Sequence, residues 1–175
     1  LLTSKVSFAK TAALASIYEH ALAANPDAGT QVMGAGRKGL LMRSSFLAYG
    51  DTENHPIIRA SKLRQRVLCD VLGAPPATAD TTNTHVDTLE YIVAMNSRER
   101  MTIKTSPAEC MGCHSQMNSL GFALEEFDSL GRRTLTERNF DRSSGALLAT
   151  HSVNTTVTDL NIDRLKITKS WSHGA

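Results

Sequence analysis

Residues 106–117 read SPAECMGCHSQM, and the five at the centre, Cys110-Met111-Gly112-Cys113-His114, govern the reading of the rest. Four chemistries compete for two cysteines separated by two residues and followed at once by a histidine. A thioredoxin-like redox pair needs a strand-to-helix junction in a βαβ setting, and no strand is expected before Cys110. A structural zinc site needs four ligands; Cys69 could join Cys110, Cys113 and His114, but the usual second pair is missing. A disulfide across two residues closes a small loop and stabilises little. The fourth chemistry is covalent attachment of a c-type heme. Two thiols at this spacing add to the two porphyrin vinyl groups, and the adjacent histidine reaches the iron. Each of the five positions serves that chemistry, whereas each rival lacks a neighbour. The plainest alternative, two apolar thiols beside an incidental histidine, makes no use of the spacing.

Working outward, Pro107 stands where the first helical residue belongs, with Ser106 and Glu109 spaced as a capping pair. The motif is therefore expected in the first turns of a helix. Asn96 and Glu99 make a second capping pair just upstream, and VDTLEYIVAM (86–95) is read as helix. Downstream, Leu120, Ala123, Leu124, Phe127 and Leu130 recur at three and four, which predicts a further helix over 119–130 closed by Gly131. The N-terminal part predicts three more helices, over 5–24, 37–50 and 59–73, with a loop at 25–36 and a polar turn at DTENHPII (51–58). APPATADTTNT (74–84) is the plainest linker. After Gly131 the pattern alternates and turns β-branched around NFDRSSG, which predicts a hairpin arm. The expected architecture is mainly α: a cytochrome c-like helical heme domain over 1–133, with a small β-hairpin arm and tail over 134–175.

A chain of 175 residues suffices for one domain with an added arm. A net charge of +2 gives no field that would favour nucleic acid, and no run of about 18 apolar residues could span a membrane. The opening LLTSKVSF has neither Met nor a signal-peptide layout, which reads as a processed or truncated beginning. Aromatic residues are only 5%, so the core has room for a large apolar cofactor. No Ser-His-Asp set, phosphate loop or pair of catalytic carboxylates can be argued.

The motif order across residues 37–133 resembles the planctomycete-type cytochrome c family. The carrying segments are RKGLLMRSSFLAYG, then HPIIRASKLRQRVLCDVLGAPP, then SRERM, then TSPAECMGCHSQMNSLGFALEEFDSLGRR. In that family a GLL…FL segment and an LLC…PPP segment precede a heme motif, which GFALE-x-FD-x-x-GR follows. The resemblance implies an exported multidomain protein of which this chain is one part. Two positions depart from the family: Asn118-Ser119 where Asp-Pro is usual, and Lys104 where His is frequent.

One heme c is thus expected on Cys110 and Cys113, with His114 as an axial ligand to iron. The sixth ligand stays open. Met117 lies on the same helix as His114 and cannot cross to the other ring face. His55, in a turn before Pro56, is the leading candidate; Met42, Met101 or an open position are the alternatives. His20, His85, His151 and His173 are read as surface residues, and Met33 and Met95 as core. Cys69 is read as a buried thiol on a helix, and Arg59, Lys62 and Arg66 as a solvated helical face, with a heme-propionate clamp or a docking patch as the lesser alternative. The expected function is electron transfer, with a redox protein or another cytochrome as partner. The alternatives are a peroxidase-like or oxidase-like enzyme with an open sixth position, or a non-catalytic subunit of a larger cytochrome assembly. Attachment of this kind of heme takes place outside the cytoplasmic membrane, so a periplasmic or extracellular location is expected.

Overall fold

The computed structural model describes residues 3–27, 31–34, 36–49, 54–77 and 85–157, with the backbone of 158–162 and 167–171. Most of the expected 74–84 linker, Gly50, the start of the polar turn and His173 lie outside the described residues. The chain divides into two units. One comprises residues 1–55 with 127–133, the other 56–126 with 134–173.

In the first unit, strand β1 (Val6–Ser7) pairs antiparallel with β2 (Gln31–Val32), and helix α1 (Ala12–Ile17) lies between them in sequence. This corrects the single helix expected over 5–24. Thr11 caps α1 by accepting the Leu14 amide at 3.2 Å, so the helix starts there, while the residues before it are taken up by the pairing to β2. Ala9, Ala15, Tyr18 and Met33 form the core, with Leu14 and Ile17 packed on it. The helix expected over 37–50 is also broken. A 3-10 turn (Leu40–Met42) is followed by a four-residue helix α2 (Ser44–Leu47), because Arg43 between them is extended, at φ −80° and ψ 142°. Fully buried Arg37 ties this unit together. Its guanidinium lies 5.5 Å from the Tyr18 ring and 4.9 Å from the Phe127 ring, and donates to the carbonyls of Met42 and Gly131. Gly131 adopts φ +77° with Leu47 and Ser44 against it.

In the second unit, helix α3 (Pro56–Arg66) begins three residues earlier and ends well before the expected Gly73. Proline suits a first helical position, where its missing amide costs nothing. At the other end Asp70 folds back, its amide bonding the Arg64 carbonyl at 2.9 Å and its carboxylate the Arg64 guanidinium at 2.7 Å. Cys69 is left in this turn at φ +56° and exposed, not buried on a helix. Arg59 is fully buried and donates to the Leu124 carbonyl at 3.3 Å, so it is not part of a solvated face.

Helix α4 (Leu89–Ala94) matches the reading of 86–95, and α5 (Ser97–Lys104) opens with the expected capping box between Asn96 and Glu99. Helix α6 runs unbroken from Ala108 to Phe122. The Ser106 hydroxyl donates to the Ile103 carbonyl and does not cap it, so the second expected capping pair is absent. The separate helix expected over 119–130 is likewise absent. Its first residues extend α6, and the chain then passes through a turn to a bridge between Phe127 and Arg133. Leu120, Ala123, Leu124 and Phe127 are buried as their periodicity predicts, whereas Leu130 is exposed.

Strands β3 (Thr136–Phe140) and β4 (Leu147–Ser152) form the hairpin expected around NFDRSSG. Asp141 closes its turn, accepting from the amides and hydroxyls of Ser143 and Ser144, and these bonds hold its carboxyl well below the usual carboxylate range. A further antiparallel pair, β5 (Val157–Ile162) and β6 (Ile167–Trp171), occupies what reads in sequence as a polar tail. Helix α4 is fastened to the first hairpin through the Ile92 carbonyl, which lies 3.2 Å from both Asn139 Nδ2 and His151 Nε2.

Candidate functional site

Helix α6 has two different halves. Its last residues pack against α3, where Gly121 brings the two backbones together: a Cβ built at Gly121 would lie 2.4 Å from the Pro56 carbonyl oxygen. Arg64 Nε adds a bond to the Gln116 carbonyl at 2.8 Å. The first turns, which carry Cys110-Met111-Gly112-Cys113-His114, bury no residue, and a Cβ at Gly112 would meet nothing within 4 Å. Cys110 and Cys113 are half-buried free thiols at spacing i, i+3, the spacing that puts two side chains on one helical face. Met111 beside them is 39% exposed.

Helices α5 and α6 form a helical hairpin joined by Thr105–Pro107. At its open end, Arg98 donates to the Phe122 carbonyl at 2.9 Å, to the Glu125 carboxylate at 2.8 Å and to the Thr156 carbonyl at 2.9 Å, and stacks 4.8 Å from the Phe122 ring. Burial raises the Glu125 carboxyl to about 7 against the opposing pull of Arg98. Near the turn, Asn118 reaches across to buried Thr105: Nδ2 bonds Thr105 Oγ1 at 2.8 Å. Asn118 Oδ1 lies 3.0 Å from His114 Nδ1. His114 is half-buried, and among the described residues its Nε2 takes part in no hydrogen bond.

The donor set fits a covalently held heme. Two free thiols share a face, the helix around Gly112 is open, and the imidazole is fixed through one nitrogen with the other unengaged. No three His, Cys, Asp or Glu side chains gather to hold a metal ion among the described residues. Cys69, Cys110, Cys113 and His114 therefore do not gather as a four-ligand set among the described residues.

The sixth-ligand candidates are scattered. His55 belongs to the first unit and is half-buried, its ring 5.5 Å from that of Tyr49. Met42 is buried in the same unit. Met101 is half-buried on α5, in the unit that holds His114. Met33 is core, whereas Met95 is half-buried at the end of α4 and Met117 is buried on α6. His20 bonds Ser7 Oγ at 2.6 Å and the Ala21 carbonyl; His85 meets Tyr91 edge-on; His151 bonds Ile92.

Sequence alone does not mark Asn118 as part of the site, although i+4 from a histidine on a helix is a spacing at which side chains meet. Thr105 carries no comparable signal, because its partner lies across a helical hairpin.

The family PSCyt3, described as a protein of unknown function (DUF1588), matches residues 37–137. No curated protein and no solved structure matches the chain.

Proposed function

The chain belongs to the PSCyt3 family, a cytochrome-like family, and from that membership we propose that it is an electron-transfer module carrying one covalent c-type heme. The observation that carries the reading is His114. It stands on the same helix as two free thiols, with Nδ1 engaged by Asn118 and Nε2 unengaged. When bound, the heme supplies a one-electron change at iron. Cys110 and Cys113 would anchor the ring as thioethers, and His114 would ligate the iron through Nε2.

A second observation supports a large apolar partner at these helices. Neither α4 nor α5 buries a single residue, and Leu89 and Val93 on α4 are 59% and 46% exposed. Helices in soluble domains are held mainly by an apolar face packed on something else.

For a carrier, a second protein ligand would complete the iron; His55 stays the candidate read from the sequence, with Met101 and Met42 as the outcomes that would replace it. The partner is a redox protein or another cytochrome, within a larger assembly, in the periplasm or outside the cell. No helix among the described residues is long and apolar enough to cross a membrane.

The test is acid-acetone extraction of the denatured protein with mass measurement, followed by reduced spectra with and without carbon monoxide. Heme retained on the chain, and slow carbon monoxide binding that becomes fast in His55→Ala, is the expected result. Complete extraction of heme would end the c-type reading. Immediate carbon monoxide binding by the unmodified protein would replace the carrier with an enzyme having an open sixth position.

A further inference from the structure

We propose that Asn118 and Thr105 are positioning residues that set the tautomer of His114 from a backbone carbonyl on the neighbouring helix. The proposal rests on the reading of His114 as an axial ligand and deepens it, by naming what orients that ligand and tunes the iron.

At one end of the hydrogen-bonded path the polarity is beyond choice. The Met101 carbonyl can only accept, and Thr105 Oγ1 lies 2.8 Å from it, so the single hydroxyl hydrogen of Thr105 is spent there. Towards Asn118 the hydroxyl can then only accept. The group opposite it must be the amide nitrogen, at 2.8 Å. That places the amide oxygen towards His114, 3.0 Å from Nδ1. An amide oxygen accepts and never donates, so Nδ1 must carry hydrogen. In the tautomer that remains, Nε2 holds the lone pair.

Each link runs in one direction because a carbonyl stands at its head. Thr105 is only 4% exposed, so water competes poorly for its hydroxyl. The acceptor on Nδ1 is also neutral. A carboxylate there would draw the proton more strongly, make the imidazole a better electron donor and favour ferric iron; an amide does so less. The relay thus orients the ligand and holds the potential above the value a charged acceptor would give.

The test uses the holoprotein with three substitutions. Asn118→Asp should lower the reduction potential and raise the iron–histidine stretching frequency in resonance Raman spectra of the five-coordinate ferrous state that photolysis of the carbon monoxide complex leaves. A tenfold shift in the ferric-to-ferrous balance corresponds to about 59 mV for a one-electron couple. Thr105→Val, which keeps the shape and removes the hydroxyl, should shift both readouts and broaden the Raman band as Asn118 loses its fixed orientation. Thr105→Ser should restore wild-type values. Covalent heme content, measured on each variant, separates loss of the cofactor from loss of tuning. Unchanged potential and Raman frequency in Asn118→Asp with heme retained would overturn the relay and leave the function reading intact.

The histidine tautomer is read by nitrogen-15 NMR of the chain itself if extraction shows that it carries no heme; with heme bound, iron on Nε2 would itself fix the tautomer, so the exchange rate of the Nδ1 hydrogen in the diamagnetic ferrous protein is read instead. In the heme-free chain His114 should be the Nδ1–H form in the wild type and a mixture in Asn118→Leu, and in the ferrous protein its Nδ1 hydrogen should exchange faster in Asn118→Leu than in the wild type. An Nε2–H form in the wild type would sink the proposal even without heme. The Nδ1–H form in a chain that carries no heme would uphold the relay while the function reading fails.

Discussion

Gly121 and Gly112 sit on the same helix, and changing each to Ala should move stability in opposite directions. At Gly112 the added methyl meets nothing within 4 Å, so only helix preference acts. Replacing Gly by Ala there gains about 0.5–1 kcal/mol. At Gly121 the same methyl lies 2.4 Å from the Pro56 oxygen, 2.7 Å from the Pro56 carbonyl carbon and 3.2 Å from the Ile57 nitrogen. All three obstacles are backbone at the start of α3, and backbone cannot rotate aside as a side chain does. The helices must separate by roughly 1 Å to reach ordinary carbon–oxygen contact. Overpacking of that kind costs about 1–3 kcal/mol, and the last turn of α6 recovers little from helix preference. For a chain of this size, each kcal/mol moves the melting temperature by about 2–4 °C. Thermal unfolding followed by far-ultraviolet circular dichroism should therefore show Gly121→Ala melting about 2–12 °C lower and Gly112→Ala about 1–4 °C higher. A Gly121→Ala protein as stable as the wild type would refute the close approach of α3 and α6.

Arg98→Met should destabilise the second unit by about 1–3 kcal/mol in urea unfolding, because it leaves the buried Glu125 carboxyl without its donor; adding Glu125→Leu should recover part of the loss, and no recovery would place the cost in the carbonyl bonds instead. The Glu125 carboxyl titrates near 7 when folded against an ordinary value of 4.5, so the folded protein binds the extra proton between those values. Stability should therefore fall as pH rises through that window, by at most about 3 kcal/mol, and Glu125→Gln should remove that slope. Asn96→Ala should cost about 1 kcal/mol through loss of the α5 cap. Ser106→Ala should stay within about 0.5 kcal/mol, since its hydroxyl does not cap α6.

What was legible in the sequence is what the chain decides locally. The Asn96–Glu99 box needs only four consecutive residues, and the hairpin at Asp141 needs only its own turn chemistry. The position of the Cys-x-x-Cys-His motif in the first turns of a helix follows from Pro107, which stands at the N-cap, one place before the first helical residue. Two of the failures involve distant partners, and others turn on a bond within a few residues. Residues 5–11 look helical by composition, but Val6 pairs with Val32 and Ser7 with Gln31. Arg59 keeps step with Lys62 and Arg66, yet its guanidinium is claimed by a carbonyl at Leu124. Cys69 lies on an apolar stripe only if the helix continues to Gly73, and the Arg64–Asp70 pair turns the chain back first. At the site, the thiols and the histidine could be read directly. Their supporting residues split, since Asn118 is a helical neighbour and Thr105 belongs to another helix.

The hydrogen-bonded path from Met101 to His114 also has a consequence for portability. All its members fall within one helical hairpin, so the loop that must close to form it is short and its entropic cost small. Contacts of such low sequence separation form early and survive the loss of remote elements. Removing the strands after Thr134 should therefore lower stability while leaving the imidazole oriented. Moved into an unrelated helical scaffold, the stretch from Asn96 to Phe122 would bring its own supporting hydrogen bonds. A transplant beginning at Ser106 would carry Cys110, Cys113 and His114 and lose the hydrogen bonds that reach Asn118 from Thr105.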